Sequence, residues 1–163
     1  YPALFEGEWH DRALALAAKT WELTRFLTEV ARLPAPKRPP LENAITYHDS
    51  CAGLRELSVQ QQPRQLLQEQ CGAQVQELSQ NKVCCGFGGT FCARMPEISG
   101  KMADDKLDDA VASGATIVAG GDLGCLLHLA GRARRRGVDL EFRHVAELLV
   151  GEPRGPGIGD GRE

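Results

Sequence analysis

Three short strand candidates constrain this chain most: residues 44–48 (AITYH), 115–119 (ATIVA) and 140–144 (LEFRH). Each has strand length, and the first two are apolar and rich in β-branched residues. Each leads into a segment of helical character: 51–59 (CAGLRELSV), 123–136 (LGCLLHLAGRARRR) and 145–150. A further helix starts at Pro63 and stops at Gly72, residues 74–78 (QVQEL) form a fourth strand candidate, and residues 96–113 form a helix ended by Gly114. Strands alternating with helices predict an α/β fold with a mostly parallel sheet of about four strands, flanked by helices in Rossmann-like layers. In such sheets ligands bind outside the carboxyl ends of the strands.

Residues 8–33 carry apolar positions at helical spacing and predict one amphipathic helix in front of this unit. The stretch 34–40 (PAPKRPP) cannot continue it, because four prolines in seven residues favour extended structure. The expected organisation is therefore an N-terminal helix and proline-rich connector over 1–40, an α/β domain over 41–150, and a disordered glycine- and proline-rich tail over 151–163. A first residue of Tyr1 rather than Met reads as a piece of a longer protein.

The net charge is −3, 42% of residues are apolar and 25% charged. That balance suits a globular domain and gives no sign of nucleic-acid or membrane-surface binding. No apolar run is long enough for a transmembrane helix. Residues 1–30 hold Glu6, Glu8, Asp11, Arg12 and Lys19 without a clean apolar core, unlike a secretory leader. Without a secretory leader, in a reducing compartment, cysteines serve as metal ligands, catalysts or core residues more often than as disulfides.

Six cysteines stand at 51, 71, 84, 85, 92 and 125. Cys51 follows the first strand, Cys84 and Cys85 follow the second strand region, and Cys125 follows the strand of residues 115–119. Four thiols at the same kind of place in successive units would converge on one edge of the sheet. Ligands gathered from distant strand ends suit a preformed cavity better than a zinc knuckle with two local Cys-x-x-Cys arms. Four thiolates can hold an iron–sulfur cluster, and zinc on the same cysteines, with or without His128, is the alternative. Gly86, Gly88 and Gly89 can take positive φ, bring backbone close to a bulky anionic ligand and offer N–H groups to its sulfur. Cys71, at a helix end, reads as core. Cys92 stays open between a spare ligand and a bystander.

The segments HDSCAGLREL, VCCGFGGTF, PEIS and DLGCLLHLAGRARRRG, with the opening YPALFEG, resemble the cysteine-rich CCG-domain proteins. The likeness is to the branch of lactate-utilisation protein A, with the glycolate oxidase iron–sulfur subunit and the heterodisulfide reductase B subunit as wider relatives. It covers the chain up to about residue 150. It implies an iron–sulfur electron-transfer module, with cluster ligands at Cys51, Cys84, Cys85 and Cys125. That module would serve an oxidoreductase complex that oxidises L-lactate or another 2-hydroxy acid and would not be catalytic alone. The implied partners are other iron–sulfur subunits of the complex and a first cysteine-rich module missing here. The heterodisulfide reductase pattern ends Cys-x-x-Cys; here the last position is His128, which favours an ordinary 4Fe–4S cluster over a noncubane one. His128 is then a ligand, a donor behind the ligands, or neither.

His48 and His144, at strand ends, read as hydrogen-bonded structural histidines before any site role. Arg55 and Glu56 read as a surface pair, and Arg132, Arg134, Arg135 and Arg136 as a solvated helix end. The carboxylates of MADDKLDDA read as an exposed helix face. A thiol catalyst ranks last, since no general base or substrate pocket is evident.

Overall fold

The computed structural model describes residues 2–34, 36, 39–151 and 155–160. Its centre is a sheet of four parallel strands, β1 (Ile45–His48), β2 (Val75–Gln76), β3 (Ile117–Gly120) and β4 (Glu141–His144), in the order β2-β1-β3-β4. The register levels the carboxyl ends: His48 pairs with Gly120, and Gly120 with His144. Everything that follows these residues in sequence emerges on one edge.

The helices are α1 (Gly7–Ala17), α2 (Leu23–Arg25), α3 (Gln61–Cys71), α4 (Thr90–Arg94), α5 (Pro96–Ala112), α6 (Leu123–Arg136) and α7 (Val145–Val150). Helices α3 and α7 cover one face of the sheet, α5 and α6 the other. Strand side chains alternate between faces. Ile45, Tyr47, Ile117 and Ala119 join Leu67 and Cys71 of α3 and Val145 and Leu148 of α7 in one core cluster. Val118 and Phe142 join Ala103, Leu107 and Ala110 of α5 and Cys125, Leu126 and Leu129 of α6 in the other, together with Cys85. Leu67, Leu126 and Leu148 have no exposed surface, and burial of such a side chain stabilises by roughly 1.5–3 kcal/mol.

Helix α6 matches its predicted span because both ends are specified. The Asp122 carboxylate accepts from the Cys125 N–H at 2.9 Å, and Gly137 closes the helix at a φ of 66°. Arg134 and Arg135 are exposed, as expected of a solvated helix end, whereas Arg132 and Arg136 are paired. Arg132 donates twice to Asp104 of α5, at 2.8 and 2.6 Å, and Arg136 donates to Asp108 at 2.7 Å. The acidic face of α5 is thus part of the α5–α6 seam.

Several expectations shift. The single helix over 8–33 is two pieces: α1 ends at Ala17, and α2 starts at Leu23 and runs on as a π-helical turn, Phe26–Ala31. Local bonds compete with helix continuation: Thr20 Oγ1 donates back to the Leu16 carbonyl at 2.9 Å, and Glu22 accepts from the Arg25 N–H at 3.0 Å. The segment 51–59 holds only a π-helical turn, Ala52–Glu56, before Ser58 at a φ of 54°. Strand β2 is two residues long, since Glu77 turns aside to Arg64. Helix α4 had no counterpart in the sequence reading. Of the expected tail, residues 155–160 pack on β4: the Ile158 N–H donates to the Phe142 carbonyl at 2.9 Å, and Arg143 donates to the carbonyls of Gly155 and Pro156. The N-terminal pieces leave Leu4, Trp9, Leu16 and Val30 exposed.

Candidate metal centre

The levelled strand ends gather five ligand-type side chains. His48 closes β1, and Cys51 follows three residues later, beyond a turn in which Ser50 Oγ accepts from the Gly53 N–H at 3.0 Å. Cys125 sits in the first turn of α6, just past β3. Cys84 and Cys85 arrive on the loop between β2 and α4. The ligating atoms of His48, Cys85 and Cys125 all lie within 4.8 Å of one another, and all three residues are buried. Cys51 and Cys84, half-buried, form an adjoining pair, the Cys51 thiol lying against that of Cys84.

Strand parity explains the presence of His48. Ile45 and Tyr47 point to the α3 face, so Thr46 and His48 point to the opposite face, where Cys85 and Cys125 belong. Residue 120, level with His48, is glycine and sets no side chain in the way. The expectation of a hydrogen-bonded structural His48 is overturned: the residue is 2% exposed, and neither ring nitrogen has a hydrogen-bond partner. Buried polar atoms are almost always satisfied, so two orphaned nitrogens beside two thiols need an explanation. Sulfur with imidazole is a donor set for zinc, copper or an iron–sulfur group, and this pocket supplies it.

The electrostatics of the group follow from these contacts. The Cys125 thiol donates to Cys85 and holds the Cys85 thiol far below its usual range against burial, helped by the electrostatic influence of the neighbouring His48 ring and by the Phe87 N–H. Cys125 is pushed up by that same bond, by burial and by the nearby Asp122. Burial pushes the Cys84 thiol up, opposed by the Gly86 N–H, which reaches its sulfur at 3.3 Å. Lys106 of α5 is buried and donates to the Gln80 carbonyl; burial pulls its ammonium down, while the charges of Asp109, Cys85 and Cys84 oppose that.

The three glycines differ. Gly86 has a φ of 88°, and a Cβ there would stand 2.7 Å from the Ser99 carbonyl oxygen; the turn fits only because that atom is missing. Gly88 and Gly89 also have positive φ, but they serve the entry to α4, where Gly88 accepts from the Phe91 N–H. His128 is not brought into the group. Its Nε2 lies 3.2 Å from Ser99 Oγ, and its ring packs obliquely on Phe87. Cys92 also stands apart, with its thiol donating to the Gly89 carbonyl at 3.0 Å. His144 caps α7, with Nδ1 accepting from the Ala146 N–H. Cys71 is a core residue, as expected.

Residues 45–130, a span that includes His48, Cys51, Cys84, Cys85 and Cys125, match the model of the CCG cysteine-rich domain. The chain belongs to the CCG cysteine-rich domain family. It is 44% identical to lactate utilization protein A of Macrococcus caseolyticus over 151 residues, 91% of this chain and 61% of that protein. The corresponding protein of Lysinibacillus sphaericus is 42% identical over 91% of this chain and 66% of its own length. That of Halalkalibacterium halodurans is 39% identical over 94% and 64%. The chain thus spans about three-fifths to two-thirds of the length of these relatives. Among the described residues, no helix is long and apolar enough to cross a membrane.

Proposed function

We propose that this chain is a cytoplasmic electron-transfer module that holds an iron–sulfur cluster of the 4Fe–4S type on Cys51, Cys84, Cys85 and Cys125. The observation that carries this is the contiguous run of thiols at the carboxyl edge of the sheet, with a buried imidazole whose nitrogens have no other partner. Such a cluster, when bound, supplies a one-electron donor and acceptor. The protein's own part is to hold the ligands in a pocket with a dry core side, to bring the Gly86 N–H to the Cys84 sulfur and to keep a buried cation, Lys106, nearby. Backbone N–H groups on ligand sulfurs favour the reduced state. The proposed α/β unit is residues 41–150, preceded by an N-terminal helix and proline-rich connector over 1–40.

The relatives' names support a place in lactate utilization; the reaction we propose is oxidation of L-lactate, or of a related 2-hydroxy acid such as glycolate, by a complex in which this chain is not catalytic alone. The proposed partners are other iron–sulfur subunits of that complex and a first cysteine-rich module. Anaerobic reconstitution with iron and sulfide should give about four irons and four sulfides per chain. Equal loading by the Cys84→Ser, Cys85→Ser double variant would defeat the proposal.

One observation favours a second reading. The compact His48–Cys85–Cys125 triad suits a single tetrahedral zinc ion, whose ligand bonds are about 2.0–2.3 Å. One zinc per chain without sulfide, in protein purified anaerobically, would select it.

A further inference from the structure

Ser99 is a serine in the first turn of α5, 1% exposed, outside the thiol group. Its hydroxyl donates to the Gly86 carbonyl at 2.8 Å. A hydroxyl has one proton, so its contact with His128 Nε2 at 3.2 Å must run the other way, with the imidazole N–H donating to Ser99 Oγ. That assigns the proton of half-buried His128 to Nε2 and removes this nitrogen as a metal donor. A directed chain follows: His128 Nε2–H to Ser99 Oγ–H to the Gly86 carbonyl.

The far end of this chain is the thiol-bearing turn. The N–H of Gly86 reaches the Cys84 sulfur at 3.3 Å. The peptide that carries the Gly86 carbonyl also carries the Phe87 N–H, one of the groups that stabilise the Cys85 thiolate. Fixing that carbonyl on Ser99 fixes the opposite end of the same rigid plane toward the sulfurs. Hydrogen bonds in series also polarise one another. The turn is clamped from both sides: a Cβ on Gly86 would meet Ser99 and Met102, and a Cβ on Gly124 would meet the Phe87 ring at 2.5 Å.

We infer that Ser99 and His128 are positioning residues for the Cys84–Cys85 turn, acting through the Gly86 carbonyl to aim backbone N–H groups at the ligand sulfurs. This deepens the proposed metal-centre role and rests on it only for the redox readout. The geometric half concerns the metal-free chain.

The test therefore has two arms. In the metal-free protein, amide hydrogen exchange at Gly86 and Phe87 is followed by NMR in wild type, His128→Leu, His128→Gln and Ser99→Ala. Loss of one ordinary hydrogen bond from the clamp should speed exchange at these two amides by roughly fivefold. Amides of β3 and α6 should stay unchanged, and His128→Gln, which keeps an N–H donor, should stay near wild type. His128 is half-exposed, so its variants carry the test even where Ser99→Ala fails to fold. In reconstituted protein, the midpoint potential should fall in His128→Leu and recover in His128→Gln, because N–H···S bonds raise it. Unchanged exchange at Gly86 and Phe87, or a His128→Gln variant no different from His128→Leu, overturns the inference. If the chain takes up zinc and no cluster, the redox role of the site fails, while the exchange arm still decides the clamp.

Discussion

Two glycines of α6 should respond differently to the same substitution. Gly131 has open space where a Cβ would go, with no atom within 4 Å. Replacing it with alanine removes the helix penalty of glycine and should stabilise the chain by about 0.8–1 kcal/mol. Gly124, one residue before Cys125, gains at most the same. Its Cβ, however, would stand 2.5 Å from Phe87 Cε1 and 3.0 Å from Cδ1 and Cζ. The ring cannot swing freely, because it packs against the α5–α6 core and beside His128. Overpacking of this kind costs roughly 1–3 kcal/mol, so Gly124→Ala should be neutral to about 2 kcal/mol destabilising. The gap between the two variants, about 1–3 kcal/mol, is the overpacking contribution alone. At ~2–4 °C per kcal/mol for a chain of this size, they should differ in Tm by several degrees. Thermal and urea unfolding of the metal-free protein measure this directly. Equal stabilisation by both substitutions would refute the packing of Phe87 against α6, and with it the clamp on the CCG turn.

Other outcomes follow from the buried charges. Arg64 donates to Asp49 at 2.9 and 2.8 Å and to Glu77 at 2.5 and 2.9 Å. The Asp49 side chain is fully buried. Arg64→Met leaves that carboxylate without its partner and should cost about 3–5 kcal/mol in urea unfolding; a loss below about 1 kcal/mol would mean that Asp49 reaches water. The Arg64 hydrogen bond holds the Glu77 carboxyl below its usual value. A lowered folded-state pKa gives stability that is full above the unfolded value of about 4.3 and is lost as pH falls on through the lower folded value. Wild type should therefore lose urea resistance below about pH 4.5, and the slope should flatten in Glu77→Gln; parallel curves for the two proteins would remove Glu77 from that role.

Legibility in the sequence follows how local each signal is. Helix α6 was readable to the residue because Asp122 and Gly137 specify its ends within a few positions. The parallel sheet was readable because β1 and β3 are short apolar runs and strands alternate with helices along the chain. The break after α1 was not, since side-chain bonds from Thr20 and Glu22 outweigh a continuous apolar stripe. Strand β2 is shorter than its pattern because Glu77 answers a charge thirteen residues earlier. At the site, the convergence of Cys51, Cys84, Cys85 and Cys125 on one edge followed from where each lies after its strand. His48 was underrated, although alternation from Ile45 and Tyr47 put it on the thiol face; what the sequence lacked was that nothing else there could satisfy its nitrogens. His128, one helical turn from Cys125, looked equally placed, but Ser99 from another helix takes its Nε2.

The ligand set is tested most directly by single Cys→Ser variants at all six cysteines, each reconstituted anaerobically and read by iron, sulfide and the visible charge-transfer band. Loss or marked change of the band is expected for Cys51, Cys84, Cys85 and Cys125, with Cys71 and Cys92 variants loading like wild type. Full loading without Cys85 or Cys125, or loss of the cluster with Cys92, would contradict it.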